Sequence, residues 1–144
     1  MTTTYVRPKT AGGSTASSRS VRYGAAIFAL MLSAFSLSVV HTIYASASGL
    51  EDPEFNVKTP LAWVFYVVAF GVTALARRDS RVSQYIVTGY LTAIMGIAVF
   101  YYPTSFTLEQ QTTFGWFEND VYVGLLLTAL VLSVFRLARR ALVP

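Results

Sequence analysis

The stretch Arg77-Arg78-Asp79-Ser80-Arg81 separates two long runs that carry no charge, Leu61–Ala76 before it and Val82–Tyr102 after it. A helix needs about 20 predominantly apolar residues to cross a bilayer, so two such runs joined by a short cationic turn predict a helical hairpin in a membrane. The cationic turn places that end of the hairpin in the cytoplasm, since short loops rich in Lys and Arg are retained there. A third run, Tyr23–Leu50, is also uncharged, and Gly24–Ala45 predicts a first span. The last run is shorter: only Val121–Phe135 is free of charge. It reaches spanning length if Phe117 lies in the interface and Arg136 extends its guanidinium to the inner surface, giving a span near Phe117–Ala138.

Composition agrees with this reading. Of 144 residues, 54% are hydrophobic and only 12% charged, too few to solvate the surface of a soluble domain of this size. The expected fold is an all-α, integral membrane four-helix bundle of two hairpins with both termini cytoplasmic. Its helices are expected at about 24–45, 60–77, 82–102 and 118–138, in a domain covering 23–144. The segment 1–22, rich in Thr, Ser and Gly and carrying Arg7, Lys9, Arg19 and Arg22, is expected to be a disordered basic tail, because it cannot bury enough apolar area to offset the entropy of ordering. The chain contains no cysteine, which excludes disulfides, thiolate catalysis and cysteine-ligated metals.

Charge placement tests the layout independently of hydropathy. Arg7, Lys9, Arg19, Arg22, Arg77, Arg78, Arg81, Arg136, Arg139 and Arg140 fall on one predicted side and only Lys58 on the other, while Glu51, Asp52, Glu54, Glu109, Glu118 and Asp120 lie opposite. The basic residues are thus accounted for by orientation, and without an aromatic-basic platform they give no reason to expect nucleic-acid binding. Trp63, Tyr66, Tyr101, Tyr102, Trp116 and Tyr122 near the outer interface, with Tyr23 and Tyr85 near the inner one, predict an aromatic belt. The loops Ser46–Thr59 and Thr104–Asn119 are expected outside, and Pro60 and Pro103 mark the start of the second helix and the end of the third.

A rival reading of the first run is a secretory signal peptide, since Ala45-Ser46-Ala47 has the form of a cleavage site behind a basic segment. The run exceeds the roughly 7–15 residues of such an apolar region, which favours a retained helix.

No catalytic or ligand-binding signature emerges, and no enzyme activity, cofactor or metal is expected. The acids Glu51, Asp52 and Glu54 match no calcium-loop spacing. Glu118 and Asp120 suit a helix N-terminus by complementing its dipole. His41, the only histidine, lacks a second haem ligand or an orienting carboxylate, so a structural hydrogen bond is expected of it. What remains is packing. Ala25, Ala29, Ser33 and Ser36 on the first helix, and Thr88, Gly89, Thr92, Ala93 and Gly96 on the third, recur at helical spacing and predict thin faces for close approach of another helix or a partner chain. Ala62, Ala69 and Ala76 mark a similar stripe on the second helix. The expected partners are the lipid bilayer and a protein, another copy included, within the plasma membrane. The function this implies is a non-enzymatic accessory or interaction subunit of a membrane complex. The alternative, a small transporter or channel subunit, calls for charged or amide side chains at mid-membrane.

The hairpins also echo each other. The second and fourth helices close on Ala76-Arg77-Arg78 and Ala138-Arg139-Arg140, with Phe55 and Phe117 in register upstream, which predicts a parallel repeat. Phe55-x-Val57 before an apolar helix, Gly89-Tyr90 and Gly96 in the third helix, then Phe114-Gly115 and Asn119-Asp120 opening the last, together resemble the small four-helix actinobacterial membrane proteins of the domain-of-unknown-function 4383 type. The resemblance covers about Phe55–Phe135 and implies an architecture without an activity. That family often carries histidines near the outer ends of its second and fourth helices, where this chain has Thr59-Pro60 and Tyr122.

Overall fold

The computed structural model describes residues 14–50, 55–101 and 113–141. They form four helices, α1 (Ser14–Ala47), α2 (Pro60–Leu75), α3 (Arg81–Gly96) and α4 (Thr113–Ala141), with α3 running on into a π-helical turn, Ile97–Tyr101. Among the described residues there is no strand. Residues 1–13 of the expected tail, the acids Glu51, Asp52 and Glu54, and Tyr102, Pro103 and Glu109 of the expected outer end lie outside the described residues.

Helix limits follow local chemistry. α1 begins at Ser14, inside the stretch expected to be a tail, because extending a formed helix costs far less than nucleating one. It ends in a Schellman arrangement: Gly49 takes φ 68°, Leu50 N donates to Ala45 O at 2.9 Å, and Gly49 N donates to Ser46 O at 3.4 Å. Pro60 opens α2, where its missing N–H costs nothing. Ahead of it, Asn56 folds the 55–59 segment by accepting from Lys58 N at 2.8 Å on its side chain and from Thr59 N at 3.1 Å on its carbonyl. Ser80 caps α3 by accepting from Ser83 N at 3.1 Å. α4 starts at Thr113, within the expected outer loop.

The helices run antiparallel in a closed ring. Gly24 near the start of α1 meets Ala76 just past the end of α2 and Arg136 near the end of α4, and Thr88 of early α3 meets Ser133 of late α4. At the far end, Thr42 of α1 meets Tyr66 of α2, and Phe35 meets Tyr122 of α4. α1 packs between α2 and α4, as does α3. Arg22, Arg77, Arg78, Arg81, Arg136 and Arg139 therefore gather at one end, while Lys58 and Asp120 lie at the other. The core between the ends is Ile27, Met31, Ala34 and Phe35 from α1, Ala69 from α2, Val87 and Leu91 from α3, and Leu126 and Ala129 from α4.

Three segments are long and apolar enough to cross a membrane: Arg22–Ala47, Arg81–Phe100 and Asn119–Arg139. The short helix is α2, not the fourth. At 16 residues it rises about 24 Å against about 30 Å of hydrocarbon. The Ala-Arg-Arg echo is not structurally equivalent either, since Ala76-Arg77-Arg78 lies beyond α2 while Ala138-Arg139-Arg140 is inside α4.

Candidate functional site

The last carbonyls of any helix lack partners within it; in α2 those of Thr73, Ala74 and Leu75 accept from the N–H groups of Ala76, Arg77 and Arg78, which leaves the carbonyl of the buried C-cap residue Ala76 to find a donor elsewhere. Arg136 of α4 meets it. Its side chain is 4% exposed. Nη1 donates to Ala76 O at 2.9 Å, and Nη2 donates to Arg78 O at 3.3 Å and to Asp79 Oδ1 at 3.1 Å. The cation thus sits at the negative end of a helix dipole with a carboxylate beside it, and both offset the cost of burying it. Asp79 also accepts from the buried Gln84, Nε2 lying 3.4 Å away. Along the same end, Thr88 Oγ1 lies 2.6 Å from the buried Ser133 Oγ.

Gly24 makes this clamp possible. A Cβ there would lie 2.8 Å from Ala76 O and 3.1 Å from Arg136 Nη2, so only hydrogen allows α1 to close over the guanidinium. The expectation that Arg136 extends to the inner surface is corrected: its guanidinium turns inward, where Ala76 O, Arg78 O and Asp79 offer it three acceptors at once. Sequence reasoning missed Gly24, Gln84 and Arg136 as a set. The one visible clue was Asp79, a lone acid among the cations of the turn.

Hydroxyls and rings build the opposite end. Tyr66 Oη donates to Ser38 O at 2.9 Å and lies 2.6 Å from Thr42 Oγ1. Phe35 is ringed by Phe65, Phe70, Tyr90 and Tyr122 at centroid distances of 6.1, 6.4, 6.1 and 6.3 Å. Tyr66, expected in the interfacial belt, is instead buried. Trp63 and Tyr85 are exposed as a belt requires, and Trp63 Nε1 donates to Val57 O at 2.9 Å. Tyr90 Oη is buried without a hydrogen-bond partner among the described residues.

The small residues expected at helix contacts face outward. Ala25, Ala29, Ser33 and Ser36 are exposed, and the face of α1 turned inward is that of Gly24, Ile27, Met31 and Phe35. On α3, Gly89, Thr92 and Ala93 are exposed, and a Cβ at Gly89 or Gly96 would meet nothing within 4 Å. Thr88 of that set does touch another helix, through Ser133. The expectation of packing against α1 is therefore corrected for α3: within the chain its inward face is Val87, Leu91 and Ile94. The alanines of α2 do face inward, with Ala62, Ala69 and Ala76 all buried.

His41 is half-buried on α1, and no group of three or more His, Asp or Glu side chains that could hold a metal ion occurs among the described residues. The side chains of Trp116 and Glu118 lie outside the described residues. Comparison of the chain with protein-family models, with curated proteins and with solved structures gives no match.

Proposed function

We propose that the chain is a non-enzymatic accessory subunit of the plasma membrane, crossing it four times with both termini cytoplasmic, and that it associates with a protein partner or another copy through the outward face of α3. The observation that carries this reading is the face itself: Gly89 and Ala93 are exposed, and side chains placed at Gly89 and Gly96 would enter open space. Lipid tails are as apolar as leucine, so helices in a bilayer associate by close packing, which such a face permits. The short α2 completes its crossing with the folded 55–59 segment on one side and the Arg136-capped turn on the other. Non-helical backbone at membrane depth is tolerated where protein covers it. The resemblance to the small four-helix actinobacterial proteins belongs to the same proposal and adds no activity.

The transporter reading gains two buried amide or charged side chains on the helices, Gln84 and Arg136, yet both sit at the arginine-rich end, and Arg136 donates to Ala76 O, Arg78 O and Asp79. They close the bundle.

Two measurements test the proposal. Gly89→Leu should fold like the parent and lose its associated subunit or its own dimer in mild detergent, whereas Val67→Leu on the exposed face of α2 should lose neither. Retention in both variants would remove the α3 face from consideration. Ser80→Cys, in a chain with no native thiol, should resist an impermeant reagent added to intact cells; labelling there would invert the topology.

A further inference from the structure

Two neighbouring helices, α1 and α2, are level at the arginine-rich end and finish at different heights. Gly24 lies against Ala76 there, and Phe35 and Phe65, equidistant in sequence from that pair, are still level, their ring centroids 6.1 Å apart. Above the Gly24–Ala76 level α1 climbs to Ala47, about 35 Å, whereas α2 reaches its first residue, Pro60, after about 24 Å. The chain ahead of Pro60 does not prolong α2. It wraps the helix end, with Phe55 folded onto Phe65 and Tyr66 at centroid distances of 5.5 and 5.9 Å, Asn56 buried and Lys58 exposed. The indole of Trp63, one turn into the helix, is exposed and reaches back to that segment through its bond to Val57 O. Trp63 and Lys58 therefore mark the outer edge of this flank, as the exposed Arg77 and Arg78 mark the inner one. Between them Leu61, Val64, Val67, Val68, Gly71 and Ala74 are exposed and carry no polar side chain.

We infer that the outward face of α2 is an interaction surface for a thinned bilayer, taking lipids whose hydrocarbon spans about 24 Å on this flank in place of the usual 30 Å or so. The inference rests on α2 crossing the membrane, as proposed above. Length selects this occupant. A lipid of ordinary length beside α2 would either cover Lys58 and the 55–59 backbone with hydrocarbon or expose its own methylenes to water, and both are unfavourable. Tilting relieves a helix that is too long for its bilayer, not one that is too short. Nor can α2 slide, since Arg136 holds Ala76 O and Arg78 O at the inner end and Tyr66 donates to Ser38 O of α1 farther out. What yields is the bilayer. Charge agrees: the exposed cations at both edges, Lys58 on one side and Arg77 with Arg78 on the other, draw the two layers of phosphates toward them. The thinning is one-sided, because α1 sets Tyr23 and Tyr44 about 32 Å apart and Arg81–Phe100 is long enough to cross.

The full chain would be reconstituted in phosphatidylcholine vesicles with Trp116→Phe, so that Trp63 is the one indole. Brominated lipid with a hydrocarbon thickness of about 24 Å then competes with unbrominated lipid of about 30 Å, and quenching of Trp63 reads which of them occupies the α2 flank. A preference of about threefold for the thinner lipid is expected, falling toward none in Lys58→Leu, where the cation that marks the outer edge is gone. A second reporter, Val40→Trp with Trp63→Phe and Trp116→Phe, places the indole at an exposed position of α1 and should show no preference. Equal preference at both reporters, no preference at Trp63, or a preference there for the thicker lipid would overturn the inference. If neither lipid quenches Trp63 when each is brominated in turn, the α2 face belongs to a second copy and not to lipid. Lys58→Cys and Ser80→Cys locate the two ends of α2 in intact cells. Labelling of the first from outside with protection of the second shows that the crossing stands, so that a missing lipid preference sinks the thinning alone. Labelling of both would overturn the crossing and the thinning together. Gly89→Leu should keep the preference, so failure of the α3 reading leaves this one standing.

Discussion

At its arginine-rich end the bundle is closed by one side chain from α4 that satisfies the end of α2, whereas at the other end α1 and α2 are joined by hydroxyls set among aromatic rings. The first closure is charged and spans three helices, with Gly24 of α1, Ala76 to Asp79 after α2, and Arg136 of α4 in mutual contact. The second is neutral and local to Ser38, Thr42 and Tyr66. Losing the one side chain of the first takes a donor from three acceptors at once; losing one from the second leaves neighbours that can turn to each other. Thr42 Oγ1 already donates to Ser38 O at 3.0 Å as well. Unequal sensitivity of the two ends is the expectation.

Removing the clamp should have the largest effect. Arg136→Leu keeps the bulk of the stem but removes the guanidinium donors to Ala76 O and Arg78 O and one of the donors to Asp79, and should cost about 3 kcal/mol in reversible unfolding from detergent. Asp79 is 45% exposed and can turn to water, so most of the loss belongs to the carbonyls. Asp79→Asn should accordingly cost less than half as much. If the two variants are equally unstable, the ion pair and not the helix end is what Arg136 serves.

Gly24 comes next. Gly24→Leu must displace either the Ala76 carbonyl, 2.8 Å from the new Cβ, or the guanidinium at 3.1 Å, and an overpacking cost of about 2 kcal/mol is expected. In the double variant Gly24→Leu with Arg136→Ala, part of that cost should vanish, because space is returned to the same site. Strict additivity in this cycle would show that the two residues do not share one site.

The smallest effects belong to the aromatic end. Tyr66→Phe should cost about 1 kcal/mol, the usual scale of a hydrogen bond between helices in a membrane. Tyr90→Phe removes a hydroxyl that has no partner among the described residues and should be neutral or slightly stabilising. A loss at Tyr90 as large as that at Tyr66 would show that its hydroxyl is engaged.

Much of the architecture was legible in the order of residues. Uncharged runs bounded by Arg77–Arg81 and by Arg136 located the helices, Pro60 marked where the second begins, and the basic residues anticipated that the α1 start, the 76–80 turn and the α4 end would share one end of the bundle. These are local or one-dimensional properties, and hydropathy and capping report them directly. The alanine stripe marked the inward face of α2, but the inward faces of α1 and α3 were not legible. In a bilayer both surroundings of a helix are apolar, so a small-residue stripe such as Ala25, Ala29 and Ser33 reads the same whether it meets a helix or lipid. The clamp was hidden for a different reason: Arg136 finds its carbonyl on Ala76, separated by 60 positions in the chain. Only the closing of four helices into a ring brings a cation, a helix end and a glycine together at one point, and that juxtaposition decides that Arg136 is buried although its sequence neighbourhood suits the surface.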